Sequence, residues 1–130
     1  MSLNNPIANV LSFIQNNERL GKNEVITLNN SKMIKGILEI MQREGYLGSF
    51  EEIKDSKGNF LKINLIGKVN KVNVIRPQFQ IKINQYEKFE KRFLPAKNFG
   101  IIIISTNQGL LTHTEAKEKK LGGKLIAYCY

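Results

Sequence analysis

Ser105, Thr106, Asn107, Gln108 and Gly109 form a run of small hydroxyl and amide side chains closed by a glycine. The apolar run Ile101–Ile104 before it predicts a buried strand, and Leu110 and Leu111 come after it, so the run sits on a turn between buried segments. Short neutral donors on a rigid turn suit hydrogen bonds to base edges and to 2′-hydroxyls, whereas long cations suit phosphate. The same residue types also build plain hairpin connections. The rigid strands on either side favour the binding reading, because they pre-organise the turn.

Other candidate chemistry is thinner. Thr112-His113-Thr114-Glu115 fits a capping box, with Thr112 accepting from the Glu115 amide while the Glu115 side chain reaches back. Thr112 also stands at the edge of the turn, where it can face a ligand, and the helix start it creates offers amides suited to phosphate. His113 is the only histidine and Cys129 the only cysteine, so a catalytic triad or the usual nitrogen and sulfur zinc set has nothing to build on. No Gly-x-Ser-x-Gly elbow surrounds Ser105. Gly122-Gly123-Lys124 lacks the spacing of a phosphate loop and reads as a helix C-cap leading into a last strand. No catalytic residue, metal ligand, cofactor or small-molecule substrate is expected.

The chain of 130 residues carries 20 Lys and Arg against 11 Asp and Glu, a formal net charge of +9, which points to an anionic partner. A second reading of that charge is a protein–protein interaction module docking on an acidic partner. Such a module would also lose affinity in salt, but it would not prefer one RNA hairpin. Lys68, Lys71, Arg76, Lys82, Arg92 and Lys97 gather in the middle third, with Lys71 a candidate phosphate contact. Tryptophan is absent, and the four Tyr and seven Phe mostly fall at core-like spacings, which argues against a groove that stacks single-stranded bases. No apolar stretch approaches the ~20 residues of a membrane span, and the start has no leader pattern. A cytoplasmic protein is expected, with Cys129 as a small core residue.

Alternating helical and strand patterns position these residues. Ile7, Val10, Leu11, Ile14 and Asn17 share a helical face, opened by Pro6 after Asn4 or Asn5 and stopped by Gly21. Val25–Leu28 is a short strand, Ser31 caps a second helix over 32–44, and Gly45 closes it. Tyr46–Ile53 and Phe60–Ile66 form a hairpin. Gly67–Lys71 is the expected boundary between residues 1–67 and 68–130. Beyond it come strands at Val72–Ile75 and Phe79–Ile83, a helix ended by Pro95, the isoleucine strand, a helix from His113 to about Lys120 and a strand over Lys124–Tyr130. The expected fold class is α+β: an N-terminal α-β-α-β-β part packed against a mainly β C-terminal part with short helices.

Several of these residues together resemble a known family. Ser105-Thr106-x-x-Gly109, Thr112-His113-x-x-Ala116, Leu121-Gly122-Gly123 and Ala127-Tyr128-x-Tyr130 are similar to the C-terminal signature of the S-eight family of small-subunit ribosomal proteins. Asn5-Pro6-Ile7-Ala8-Asn9-Val10-Leu11, Ser31-Lys32 and Glu44-Gly45-Tyr46-Leu47 agree with it, and Arg92–Ala96 with Phe99-Gly100 looks like its archaeal and eukaryotic branch. The resemblance implies a primary binder of the central domain of small-subunit ribosomal RNA, working in the cytoplasm beside neighbouring ribosomal proteins. It implies Ser105, Thr106 and Gly109 as loop readers, with Lys32 and Asn5 as backbone contacts. Asn107 stands where many relatives carry a further hydroxyl, and can still donate and accept. Lys124 replaces a glutamate common in bacterial relatives, and Phe13 and Gln15 replace arginines of their opening helix.

Overall fold

The computed structural model describes residues 6–27, 31–56, 58–75, 80–96 and 99–130. It is an α+β protein with two antiparallel sheets, dividing into two compact units, Met1–Val72 and Asn73–Tyr130.

In the first unit, α1 (Pro6–Arg19) and α2 (Lys32–Arg43) accompany a sheet of β1 (Glu24–Thr27), β2 (Leu47–Asp55) and β3 (Gly58–Leu65), in the order β1-β3-β2. Val10, Leu11, Ile14, Ile34, Ile37, Leu38 and Met41 recur at helical spacing, and all are buried. Ser31 caps α2 as expected, its hydroxyl accepting from the Ile34 amide at 3.2 Å. Strand β1 lies one residue earlier than expected, and Leu28 falls outside the described residues. The polar side of α1 holds the Gly67–Val72 segment. Glu18 accepts from the Gly67 and Val69 amides at 3.2 and 3.1 Å, and Gln15 from the Val72 amide at 2.9 Å. Gln15 thus has a structural use for its neutral side chain.

The second unit is a sheet of β4 (Val72–Val74), β8 (Gly123–Cys129), β6 (Ile101–Thr106) and β7 (Gly109–Thr112) in that order, with β5 (Gln80–Ile81) also paired to β8. Helices α3 (Tyr86–Phe93) and α4 (His113–Glu118) complete it. Ile102, Ile104, Leu111 and Leu125 join Tyr86, Phe89 and Ala116 in one buried cluster. Ile126 bulges out of the β6–β8 register, and its carbonyl accepts from the Ile75 amide at 2.9 Å. Cys129 is buried.

Three expectations need correction here. Strand β5 stops at Ile81 because the chain enters a 3-10 turn over Ile83–Gln85, drawn in by the Lys82 amide donating to the Gln85 side chain at 2.8 Å. The aromatics are not mostly core: among those described only Tyr86 and Phe89 are buried, while Phe13 and Phe99 are 43% and 49% exposed. Phe93, Tyr128 and Tyr130 instead stack as a half-buried lid on the cluster, with centroids 5.4 and 6.2 Å apart. Finally, Gly122 and Gly123 are not the cap of α4, which ends at Glu118 with Lys119 as its C-cap. They are small because the backbone passes close to its neighbours. A Cβ at Gly122 would stand 2.6 Å from the Ile81 carbonyl oxygen, and one at Gly123 would stand 2.4 Å from that of Ser105.

Gly123→Ala is therefore expected to force β8 away from β6 and to cost about 1–3 kcal/mol, the usual range for overfilling a packed site. Thermal unfolding checks this. An unchanged melting temperature would show that the close approach is not needed.

Candidate functional site

Strand β6 runs through Thr106, so Ser105 and Thr106 sit on the strand and the turn proper is Asn107 and Gln108. Neither turn residue has positive φ, whereas Gly109 has φ +102°. Gly109 is paired with Thr106 in an unbroken register, so the loop is a tight two-residue connection whose exit takes the left-handed conformation that glycine adopts without strain. Nothing lies within 4 Å of where a Gly109 Cβ would be, so the glycine serves conformation and not space.

Thr106 closes the turn. Its hydroxyl donates to the Gly109 carbonyl at 2.9 Å and accepts from the Gln108 amide at 3.1 Å. Ser105 lies in register between Leu110 of β7 and Lys124 of β8, its side chain half-buried. The Ser105 hydroxyl and the exposed Asn107 amide have no hydrogen-bond partner among the described residues. The hairpin thus separates two roles that its composition does not distinguish: Thr106 and Gly109 shape it, and Ser105 and Asn107 present free polar groups.

The root of the hairpin is fixed by α4. The capping box forms, with the Glu115 amide donating to the Thr112 hydroxyl at 3.2 Å and the Thr112 amide to the Glu115 carboxylate at 3.2 Å. Thr112 is only 2% exposed, so its hydroxyl works inside the fold. At six residues and closed by this box, α4 offers no open anion site at its start. His113 comes next, also 2% exposed. Its Nδ1 accepts from the Ile102 amide at 3.1 Å. Its Nε2 lies 3.1 Å from the Glu90 carboxylate, which Lys117 also reaches at 2.8 Å. An acceptor Nδ1 places the proton on Nε2, which donates to Glu90. Burial pushes the His113 pKa below its ordinary 6.5, against the pull of Glu90 and with the push of Lys117. From α3, Tyr86 donates its hydroxyl to the Leu121 carbonyl at 2.6 Å, and burial raises its pKa. That bond holds the chain just before the two glycines. Spacing alone does not single out His113 or Tyr86 as positioning residues; a lone histidine just past a strand end is the one available signal.

The expected backbone contacts Lys32 and Lys71 lie in the first unit. Lys32 is exposed at the first turn of α2, and Lys71 is exposed on the segment that Glu18 and Gln15 hold. Asn5, Arg76 and Lys97 fall outside the described residues. The structure brings Ser105, Thr106, Asn107, Gly109 and Thr112 together on one hairpin and its base.

A neutral hairpin on an α+β protein of charge +9 suits contact with RNA. A family model described as ribosomal protein S8 matches residues 5–130, and the chain belongs to this family. It is a family of small-subunit ribosomal proteins that bind ribosomal RNA, structural components and not enzymes.

Thr106→Val keeps the shape and removes both turn bonds, and is expected to destabilise the protein by about 0.5–1.5 kcal/mol, read by denaturant unfolding. For His113, the folded state binds a proton less readily than the unfolded chain does. Stability is therefore whole above the ordinary histidine pKa and falls as pH drops through 6.5. With a single histidine in the chain, a melting temperature that is flat between pH 7.5 and 5.5 would refute the buried neutral state.

Proposed function

We propose that this protein is a primary binder of the central domain of small-subunit ribosomal RNA, supporting assembly of that subunit in the cytoplasm. The observation that carries this reading is that the Ser105 hydroxyl and the Asn107 amide have no partner among the described residues, on a hairpin whose Thr106 and Thr112 hydroxyls are spent on the turn and the cap. Such groups meet sugar hydroxyls and base edges in a minor groove or at unpaired nucleotides. Thr106, Gly109 and Thr112 act here by holding the readers in place.

Residues 68–130 serve as the RNA-reading domain and residues 1–67 as the steadying one, with Lys32, Asn5 and Lys71 touching the sugar–phosphate backbone. Neighbouring small-subunit proteins complete the surroundings. The protein works by binding alone, without catalysis. Arg92–Ala96 and Phe99-Gly100 favour the archaeal and eukaryotic branch of the family. Net charge supplies the salt-sensitive attraction, and the hairpin supplies the choice of site.

Filter binding to a central-domain hairpin and to a scrambled duplex of equal length, across salt concentrations, tests this. A preference for the hairpin that persists at high salt is expected. Asn107→Ala should reduce that preference by about 1–3 kcal/mol without changing the salt slope. Equal, salt-labile binding to both RNAs would overturn the reading and leave a basic surface that docks on any polyanion.

A further inference from the structure

Three helices of this chain end in the same hydrogen-bonded wrap. At the end of α1 the Lys22 amide donates to the Asn17 carbonyl and the Gly21 amide to that of Glu18, at 3.0 and 3.1 Å. After α2 the Tyr46 and Gly45 amides do the same to Met41 and Gln42, at 2.9 and 3.1 Å. After α4 the donors are Leu121 and Lys120, and the acceptors Ala116 and Lys117, at 2.9 and 3.1 Å. This motif requires a left-handed residue at its second-last position, and glycine is the residue that adopts it without strain. The chain uses glycine twice, at Gly21 and Gly45, with φ +72° and +86°. The third time it uses Lys120, at φ +56°, the only described residue other than glycine with a positive φ.

Local structure does not account for that lysine. A cation at a helix C-terminus interacts well with the helix dipole, but Lys117 and Lys119 already stand there. The Lys120 side chain is exposed, and makes no ion pair or hydrogen bond with a described residue. The start of β8 limits how far Lys120 can stand from the hairpin. Gly123 lies against the Ser105 carbonyl, and Lys124 pairs with Ser105 across β8 and β6. Three residues of chain span at most about 11 Å, so Lys120 stands within that distance of Gly123, whose backbone packs against the strand that carries Ser105.

We propose that Lys120 is a phosphate contact of the RNA site on the β6–β7 hairpin, and that its backbone strain is tolerated because the position needs a positive charge. Strained residues that the surroundings hold in place concentrate at functional sites, and glycine here would give the better helix end but no charge. The inference rests on the hairpin being the RNA site.

The test is the intact protein with the central-domain hairpin RNA, comparing Lys120→Gly, Lys120→Arg and Lys54→Ala, an exposed cation of β2 in the other unit. Lys120→Gly is expected to raise the melting temperature while weakening binding roughly three- to tenfold at low salt, and to make the slope of log K against log salt shallower by about 1. Lys120→Arg should bind as the parent does, and Lys54→Ala should change binding less than Lys120→Gly. Full binding and an unchanged slope in Lys120→Gly, while Asn107→Ala still weakens binding, would overturn this inference and leave the hairpin reading intact. If Asn107→Ala is also without effect, the hairpin reading falls and the inference with it.

Discussion

Strand β6 is the constraint around which the second unit is arranged. It lies inside its sheet, with Ile101–Ile104 all buried, so each of its backbone amides and carbonyls must find a partner within the protein. β8 supplies partners along one edge. Along the other, β7 pairs only as far as Thr112, opposite Ile103. The next amide, that of Ile102, would be left unpaired where the chain turns into α4, and the imidazole of His113 takes its place in the ladder. That choice propagates. A ring that accepts at Nδ1 must donate at Nε2; the donor requires Glu90, Glu90 fixes α3 against α4, and Lys117 balances the carboxylate. An arrangement of helices thus stems from one backbone hydrogen bond that the strand could not make.

The consequence for the site is a division between rigidity and display. Hydroxyl groups look interchangeable in the sequence, yet Thr106 and Thr112 spend theirs on the turn and the cap, while Ser105 keeps its own. A protein with a large positive charge needs few cations at the point of recognition, since attraction to a polyanion is already provided by the whole molecule. What it lacks is discrimination, and in the proposed reading short uncharged groups fixed to a strand supply it with little conformational freedom to lose.

The sequence carried the periodic features well. Both helices of the first unit, the caps at Ser31 and Thr112, the isoleucine strand and the α+β class are legible because burial imposes a period and capping imposes a residue type. What it carried poorly were features set by contacts distant along the chain. Gly122 and Gly123 read as a cap from their neighbours, but their smallness answers to Ile81 and Ser105. The half-buried stack of Phe93, Tyr128 and Tyr130 has the spacing of core residues, and only three dimensions reveal its open side. At the hairpin, composition pointed to the proposed site yet did not separate free hydroxyls from structural ones, because that depends on which hydroxyl meets Gly109.

The hairpin's register also bears on how such a protein can change over time. Successive residues of β6 point to opposite faces, Ser105 to one and Thr106 to the other, and the turn between the paired Thr106 and Gly109 holds two residues. Replacing Asn107 or Gln108 alters the chemistry on show and leaves the geometry standing. Inserting or deleting a single residue within β6 would instead rotate the whole proposed reading surface to the opposite side of the sheet. If the hairpin reads RNA as proposed, drift in its preference is open to this lineage by point substitution and closed to it by changes in length.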